Sequence, residues 1–331
     1  MCTHTRASSE SSSPSSDTIS LCTSASSVDD DELNGRITPN WECYKKLLEH
    51  RGYHLETARD VKQYYERVFK DSILDSSANV CHKQGYAHAC QSNPETLCRD
   101  AGLPDNLFRG CRTRDGRRIV VKAVCVRSRQ YEVIKILSSS PLRDDPMNRT
   151  IPVLDLIEVP ESDIAFIVQE EWSSQLIDPE NPCSPPNFLR AIRQCIEGLA
   201  FMHKHGIVHL DISLRNILTD FHGHYRYIDF ELSRQYTDLS IPHRIMGRRG
   251  TEIPPELECG EESDPFKVDV WALGVVILRA CKLNGHDIPE LVQLTKPMLH
   301  PSFSARPSAC EVLQVFDRMA RRIIPNWSPR R

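Results

Sequence analysis

No apolar run in this chain is long enough to cross a bilayer. The longest, Val268 to Leu278, is interrupted by Asp269, whereas a spanning helix needs about 20 apolar residues. The start, Met1-Cys2-Thr3-His4, lacks an apolar signal core, and Cys2 stands where myristoylation needs glycine. An excess of positive charge is missing too. Lys and Arg number 41 against 45 Asp and Glu, a net charge of −4, so no global basic field draws nucleic acid or acidic lipid. The 13 cysteines contain no CxxC pair. Cys81, His82, His88, Cys90 and Cys98 lie close together, but their gaps fit no standard zinc spacing. Free thiols in a reducing compartment are the plain reading. These absences predict an intracellular protein, cytoplasmic or nuclear, with neither membrane nor nucleic acid as partner; a monomer is the expected state.

What is present is an ordinary globular composition, 40% hydrophobic and 26% charged over 331 residues. That length exceeds the about 250–300 residues at which one core usually stops growing. Residues 1–40 read as a disordered tail: eleven serines fall between Ser8 and Ser27, followed by Asp29-Asp30-Asp31-Glu32. From Trp41 to Phe69 apolar residues recur at helical steps (Trp41, Tyr44, Leu47, Leu48, then Val61, Tyr64, Tyr65, Val68), with a break near Gly52. Residues 41–99 are therefore taken as a helical extension, although 70–98 carry no clear pattern.

From Leu103 the texture changes. Residues 107–111 and 119–124 read as strands joined by a turn at Arg114-Asp115-Gly116, and 153–159 and 164–169 as further strands around a short helix at 131–137. Phe188, Ile192, Cys195, Ile196, Leu199 and Met202 share one helix face, which Gly206 terminates. Beyond it, short strands near Ile217 and Tyr227 apart, the chain reads as helical. Strands first and helices later, about a hinge at 170–186, predict an α+β fold of two lobes, 100–170 and 171–325.

The most informative stretch is His209-Leu210-Asp211-Ile212-Ser213-Leu214-Arg215-Asn216, followed by Asp229 in Tyr227-Ile228-Asp229-Phe230-Glu231. Phosphoryl transfer to a hydroxyl needs a carboxylate to take the proton, oxygen ligands for Mg²⁺, and a cation on the phosphates. Asp211 suits the first role, Asn216 and Asp229 the second. Lys122, centred on an apolar strand, suits the third, or else guards a sheet edge.

Here the sequence resembles the protein kinase family, in a form reminiscent of kinase-like domains expanded in basidiomycete fungi. His209-x-Asp211-x4-Asn216 matches the catalytic loop, Asp229-Phe230 the magnesium motif and Lys122 the phosphate-binding lysine. Pro255-Glu256 resembles the end of the activation segment. Asp269-Val270-Trp271-Ala272-Leu273-Gly274 resembles the helix that anchors the catalytic loop, and Arg306 stands where the family's Arg pairs with Glu256. The resemblance covers about residues 100–320. It implies a two-lobed kinase fold, ATP and Mg²⁺ as cofactors, and a protein substrate. It further implies an adenine slot at Leu107, Val120 and Leu218 beside Glu170, and an ion pair from Lys122 to Glu132.

The departures are equally specific. Where a phosphate-covering glycine-rich loop is expected, Asp100-Ala101-Gly102-Leu103-Pro104-Asp105 has the single Gly102 between two acids. Leu210 replaces the Arg that receives an activation-segment phosphate, which predicts switching independent of that phosphate, with Thr251 and Ser233 still open to modification. Glu231 replaces the glycine of the magnesium motif, either weakening MgATP binding or adding a metal ligand. Three classes follow. One is an ATP-dependent protein kinase acting on serine or threonine before tyrosine. The second is a pseudokinase serving as a nucleotide-binding or scaffold module. The third, a small-molecule phosphotransferase, normally lacks the Pro-Glu and Asp-x-Trp-x-x-Gly elements found here.

Overall fold

The computed structural model describes residues 34, 37–68, 80–100, 102–160, 162–173, 183–324 and 327. Most of the Ser-rich tail and part of the 170–186 hinge lie outside those residues. Five antiparallel strands form the first lobe: β1 (Tyr53–Leu55), β2 (Leu107–Arg112), β3 (Arg118–Cys125), β4 (Val153–Glu158) and β5 (Ile164–Glu170), in the order β1-β2-β3-β5-β4. Side chains alternate between the two faces of a strand, and the burial follows. Phe108, Ile119, Val121, Phe166 and Val168 are buried on one face. Leu107, opposite Lys122, and Arg109, opposite Val120, share the other.

The buried face is covered by α1 (Trp41–His50). Trp41 packs at 5.2 Å on Phe108 and Tyr44 at 5.0 Å on Phe166, and the Trp41 indole donates to the Asp105 carbonyl at 3.1 Å. Residues 41–69 are thus not two helices alone. Tyr53-His54-Leu55 forms a strand that pairs with Gly110-Cys111-Arg112. Gly110 permits this, because a Cβ there would sit 2.2 Å from the His54 carbonyl. Two more helices, α2 (Ala58–Val68) and α3 (Val80–Gln91), follow β1 and bury Ala58, Val61, Tyr65 and Ala89 in a small core of their own.

Strands β1 and β2 are neighbours in the sheet, yet residues 56–106, with α2 and α3, lie between them. The connection between these two strands therefore includes α2 and α3 and is not a short glycine-rich turn. Helix α4 (Arg129–Leu137) closes the lobe, N-capped by the Ser128 hydroxyl.

The second lobe is built on α5 (Pro185–Lys204), whose apolar face joins α7 (Pro265–Asn284), α8 (Pro289–Met298) and α9 (Ala309–Ile323) in one core. Between α5 and α7 come β6 (Ile207–Val208), β7 (Ile217–Thr219), β8 (Tyr225–Tyr227), β9 (Arg234–Gln235) and the short α6 (Pro255–Glu258). The hairpin of β7 and β8 meets the end of the first lobe through a bridge from Ser173 to Thr219. Among the described residues no helix is long and apolar enough to cross a membrane.

Candidate active site

Asp269 organises the loop that carries Asp211. It is fully buried in α7 and accepts from the His209 and Leu210 amides, each at 2.7 Å, and meets the His203 ring at 3.0 Å. These bonds hold Leu210 at φ 64°, a left-handed conformation that a leucine adopts only under constraint. The Asp211 carboxylate leaves the loop with both oxygens engaged. Oδ2 accepts from the Asn216 amide at 2.7 Å, and Oδ1 from the Thr251 backbone N–H at 2.6 Å. The latter approach depends on Gly250 at φ +91°, where a Cβ would lie 2.5 Å from the Leu210 carbonyl. A carboxylate offers about four lone-pair sites, so Asp211 retains capacity to accept another proton donor.

Removal of the Asp269 carboxylate leaves two buried N–H groups without an acceptor, at about 1–3 kcal/mol each. Asp269→Ala is therefore expected to lower stability by about 2–4 kcal/mol in urea unfolding. A loss below about 1 kcal/mol would remove Asp269 as the anchor of the loop.

Asn216 also ties the loop to the next element, since its carbonyl accepts from Ile228 N–H at 3.0 Å. Phe230 is buried against His209, ring centroids 5.0 Å apart, and the His209 ring meets the Ile228 carbonyl at 3.0 Å. Asp229, at φ 62°, is thereby turned toward β3, where its Oδ1 lies 3.1 Å from Lys122 Nζ. The four polar residues singled out in the sequence thus form a chain of contacts: Lys122 to Asp229, and Asp229 through Ile228 to Asn216 and Asp211.

Lys122 is not an edge-strand guard, because β3 lies between β2 and β5. Nor does it pair with Glu132, which is exposed on α4. Its second partner is Glu231, at 2.6 Å. Burial favours the neutral amine, but Asp229 and Glu231 outweigh it and hold the ammonium above its usual pKa.

Leu107 and Val120 share the face of the sheet that carries Lys122, and Leu218 is buried on β7. Glu170 spends its carboxylate on Arg117 and on the Trp172 indole at 3.1 Å. Gly102 is exposed, and its backbone lies outside the left-handed region, so nothing there requires glycine. Asp100 does not stand as a bare charge against phosphate, because Arg109 pairs with it. Arg109 also donates to Glu171 at 2.7 Å, and Glu171 in turn takes Arg118 at 2.7 Å. Strand alternation places Arg109 on the face of Lys122, a signal legible in the sequence; the partners are not.

Ser233 is no accessible hydroxyl: it is fully buried and donates to the His209 carbonyl. Leu210 shares a small cavity of about 30 Å³ with Arg129, Arg234 and Arg249. Positive charge is present there although residue 210 carries none, and residues so far apart in sequence leave no local signal of it. Arg306 is fully buried and forks onto Glu256 with bonds of 2.7 and 2.6 Å.

The residues fit a hard divalent ion in one specific sense. Magnesium is usually held by one or two carboxylates together with phosphate oxygens. Asp229 is partly exposed, and the Asn216 side-chain oxygen is left over when its amide nitrogen donates to Asp211. Among the described residues no group of three or more His, Cys, Asp or Glu is placed to hold a metal. The Cys81 and His82 side chains lie outside them. The described cysteines are free, and burial pushes the Cys195 thiol up to about 12.

Residues 151–286 match the family model of the protein kinase domain. Over those residues the chain is similar to protein kinase domains. The kinase relatives include sperm motility kinase Z of Mus musculus, 30% identical over 151 residues, which are 45% of this chain and 28% of the relative. A serine/threonine-protein kinase of Eremothecium gossypii is 24% identical over 173 residues, 49% of this chain and 22% of its own length. The protein named "Probable cell division protein kinase" of Encephalitozoon cuniculi is 30% identical over 182 residues, 54% of this chain and 57% of the relative. The chain thus spans from about a fifth to somewhat over half of the length of these kinases. The described residues have the mixed α+β build of the kinase fold, with a sheet-rich first lobe and a helical second.

Proposed function

We propose that the protein transfers the γ-phosphate of ATP to a hydroxyl of a protein substrate, serine or threonine before tyrosine. The observation that carries this is the convergence of Asp211, Asn216, Asp229 and Lys122 through the contacts described above. Asp211 accepts the hydroxyl proton; Asn216 and Asp229 hold the divalent ion; Lys122 steadies the phosphates. Mg²⁺, when bound, offsets phosphate charge as the terminal group departs. Leu107, Val120 and Leu218 would enclose the adenine, with Glu170 and Gly102 at its border. The names of the relatives support this reading at the level of protein kinase.

A second reading, a nucleotide-binding module with little turnover, is favoured by α2 and α3 standing between β1 and β2 in place of a short glycine-rich turn. One experiment separates the two. With MgATP at 100 times its dissociation constant the protein is stabilised by about 2.7 kcal/mol, and radiolabel from γ-labelled ATP appears in an added protein. Stabilisation without label supports the module. Neither stabilisation nor label removes both readings.

A further inference from the structure

We propose that Glu231, and not an acidic residue of α4, is the positioning residue that holds Lys122 for the nucleotide phosphates. The inference rests on the kinase reading and goes beyond it in naming how the lysine is held. Helix α4 has no carboxylate to offer inward: its buried positions are Gln130, Tyr131, Val133, Ile134 and Leu137, and Glu132 is exposed. A buried ammonium needs a fixed counter-charge, because removing one partner leaves an uncompensated charge out of water. Glu231 meets it at 2.6 Å and Asp229 at 3.1 Å.

The two carboxylates are not equivalent. Asp229 is the residue proposed to turn to the divalent ion, which draws it from Lys122. Glu231 stays. Phe230, buried between them against His209, pins the segment so that both flanking side chains reach β3. Glu231 thus fills a position where glycine would leave Lys122 with a single partner. The lysine is then aligned by the same segment that carries the metal ligand, and its placement does not depend on the orientation of α4.

The test is a double-mutant cycle on the full chain, read by thermal unfolding without nucleotide. In Lys122→Met, Asp229 and Glu231 face each other unneutralised, so Glu231→Gln added to it is expected to cost nothing or to restore stability. Non-additivity of about 2–4 °C is expected. The cycle of Lys122→Met with Glu132→Gln is expected to be additive. In calorimetry Glu231→Gln should weaken MgADP binding about 10-fold, and Glu231→Asp should recover most of it. An additive cycle at 231, coupling at 132 instead, or MgADP bound as tightly by Glu231→Gln as by wild type, overturns the proposal. Should wild type bind no MgADP, the kinase reading fails by itself. The cycle then decides the pairing alone: coupling at 231 supports it, additivity overturns it.

Discussion

Asp211→Asn is expected to lower phosphate transfer by about a thousandfold, the scale of a lost general base, with MgATP affinity changed less than about twofold. Asp211 contacts neither Lys122 nor Asp229 in the structure; its carboxylate is held by Asn216 and Thr251. An asparagine keeps the volume and loses the proton-accepting charge. It also turns one acceptor into a donor. Since both oxygens of Asp211 receive N–H groups, one of those donors then faces an NH₂. A modest stability loss of about 1–2 kcal/mol should accompany the loss of turnover. Steady-state transfer with labelled ATP and calorimetric MgATP binding check the two halves separately. Equal turnover in variant and wild type would take Asp211 out of the chemistry. A large drop in MgATP affinity would mean that the residue serves the metal instead.

Arg306→Ala should produce the largest loss of stability, about 3–5 kcal/mol, because it strips a buried carboxylate of its counter-charge. Glu256 accepts both arms of the Arg306 fork and the Ser263 hydroxyl at 2.7 Å. The guanidinium also donates to the His300 carbonyl at 2.9 Å. These contacts join α6 to the turn before α9, so the segment that follows Asp211's partner Thr251 loses its anchor along with the ion pair. Arg306→Lys should recover little, since an ammonium cannot reproduce the two-pronged bond.

The pH dependence has a definite sign. Burial pushes the Glu256 carboxyl up, but the hydrogen bonds from Arg306 and Ser263 more than offset it and hold the pKa below its ordinary 4.5. A group whose pKa is depressed by folding contributes stability above its unfolded value and loses it as pH falls through the folded one. The wild type should therefore weaken on acidification below about pH 4.5 through this pair. Urea midpoints of Arg306→Ala should be less sensitive over the same range. Equal acid sensitivity of the two proteins, or a midpoint loss worth under about 1 kcal/mol, would count against the pair as a main anchor.

Some elements could be read from the chain because local chemistry dictates them. Helix α5 declares itself by the spacing of Phe188, Ile192, Cys195, Leu199 and Met202, a stripe that no other backbone period places on one side. Strands β2 and β3 do the same by alternation. Strand β1 escaped because Tyr53-His54-Leu55 is too short to show a period, and it exists as a strand only because Gly110 lets a neighbouring backbone approach. Helix α3 escaped for another reason. Its residues are mixed in polarity around the helix, so it is held by α2 and not by an amphipathic pattern of its own.

The chain by itself specified which side chains are chemically able to take a proton, hold a hard cation or bear positive charge: Asp211, Asn216, Asp229 and Lys122 are named by type and order. Which of them touch was decided by the tertiary structure. Lys122 lies between Asp229 and Glu231 and away from Glu132 because the turn around Phe230 and the outward face of α4 set those directions. Arg109 meets both Asp100, nine residues before it, and Glu171, 62 residues after it. Ion pairs form between atoms a few ångströms apart in space, and the number of residues separating them along the backbone carries almost no information about that distance.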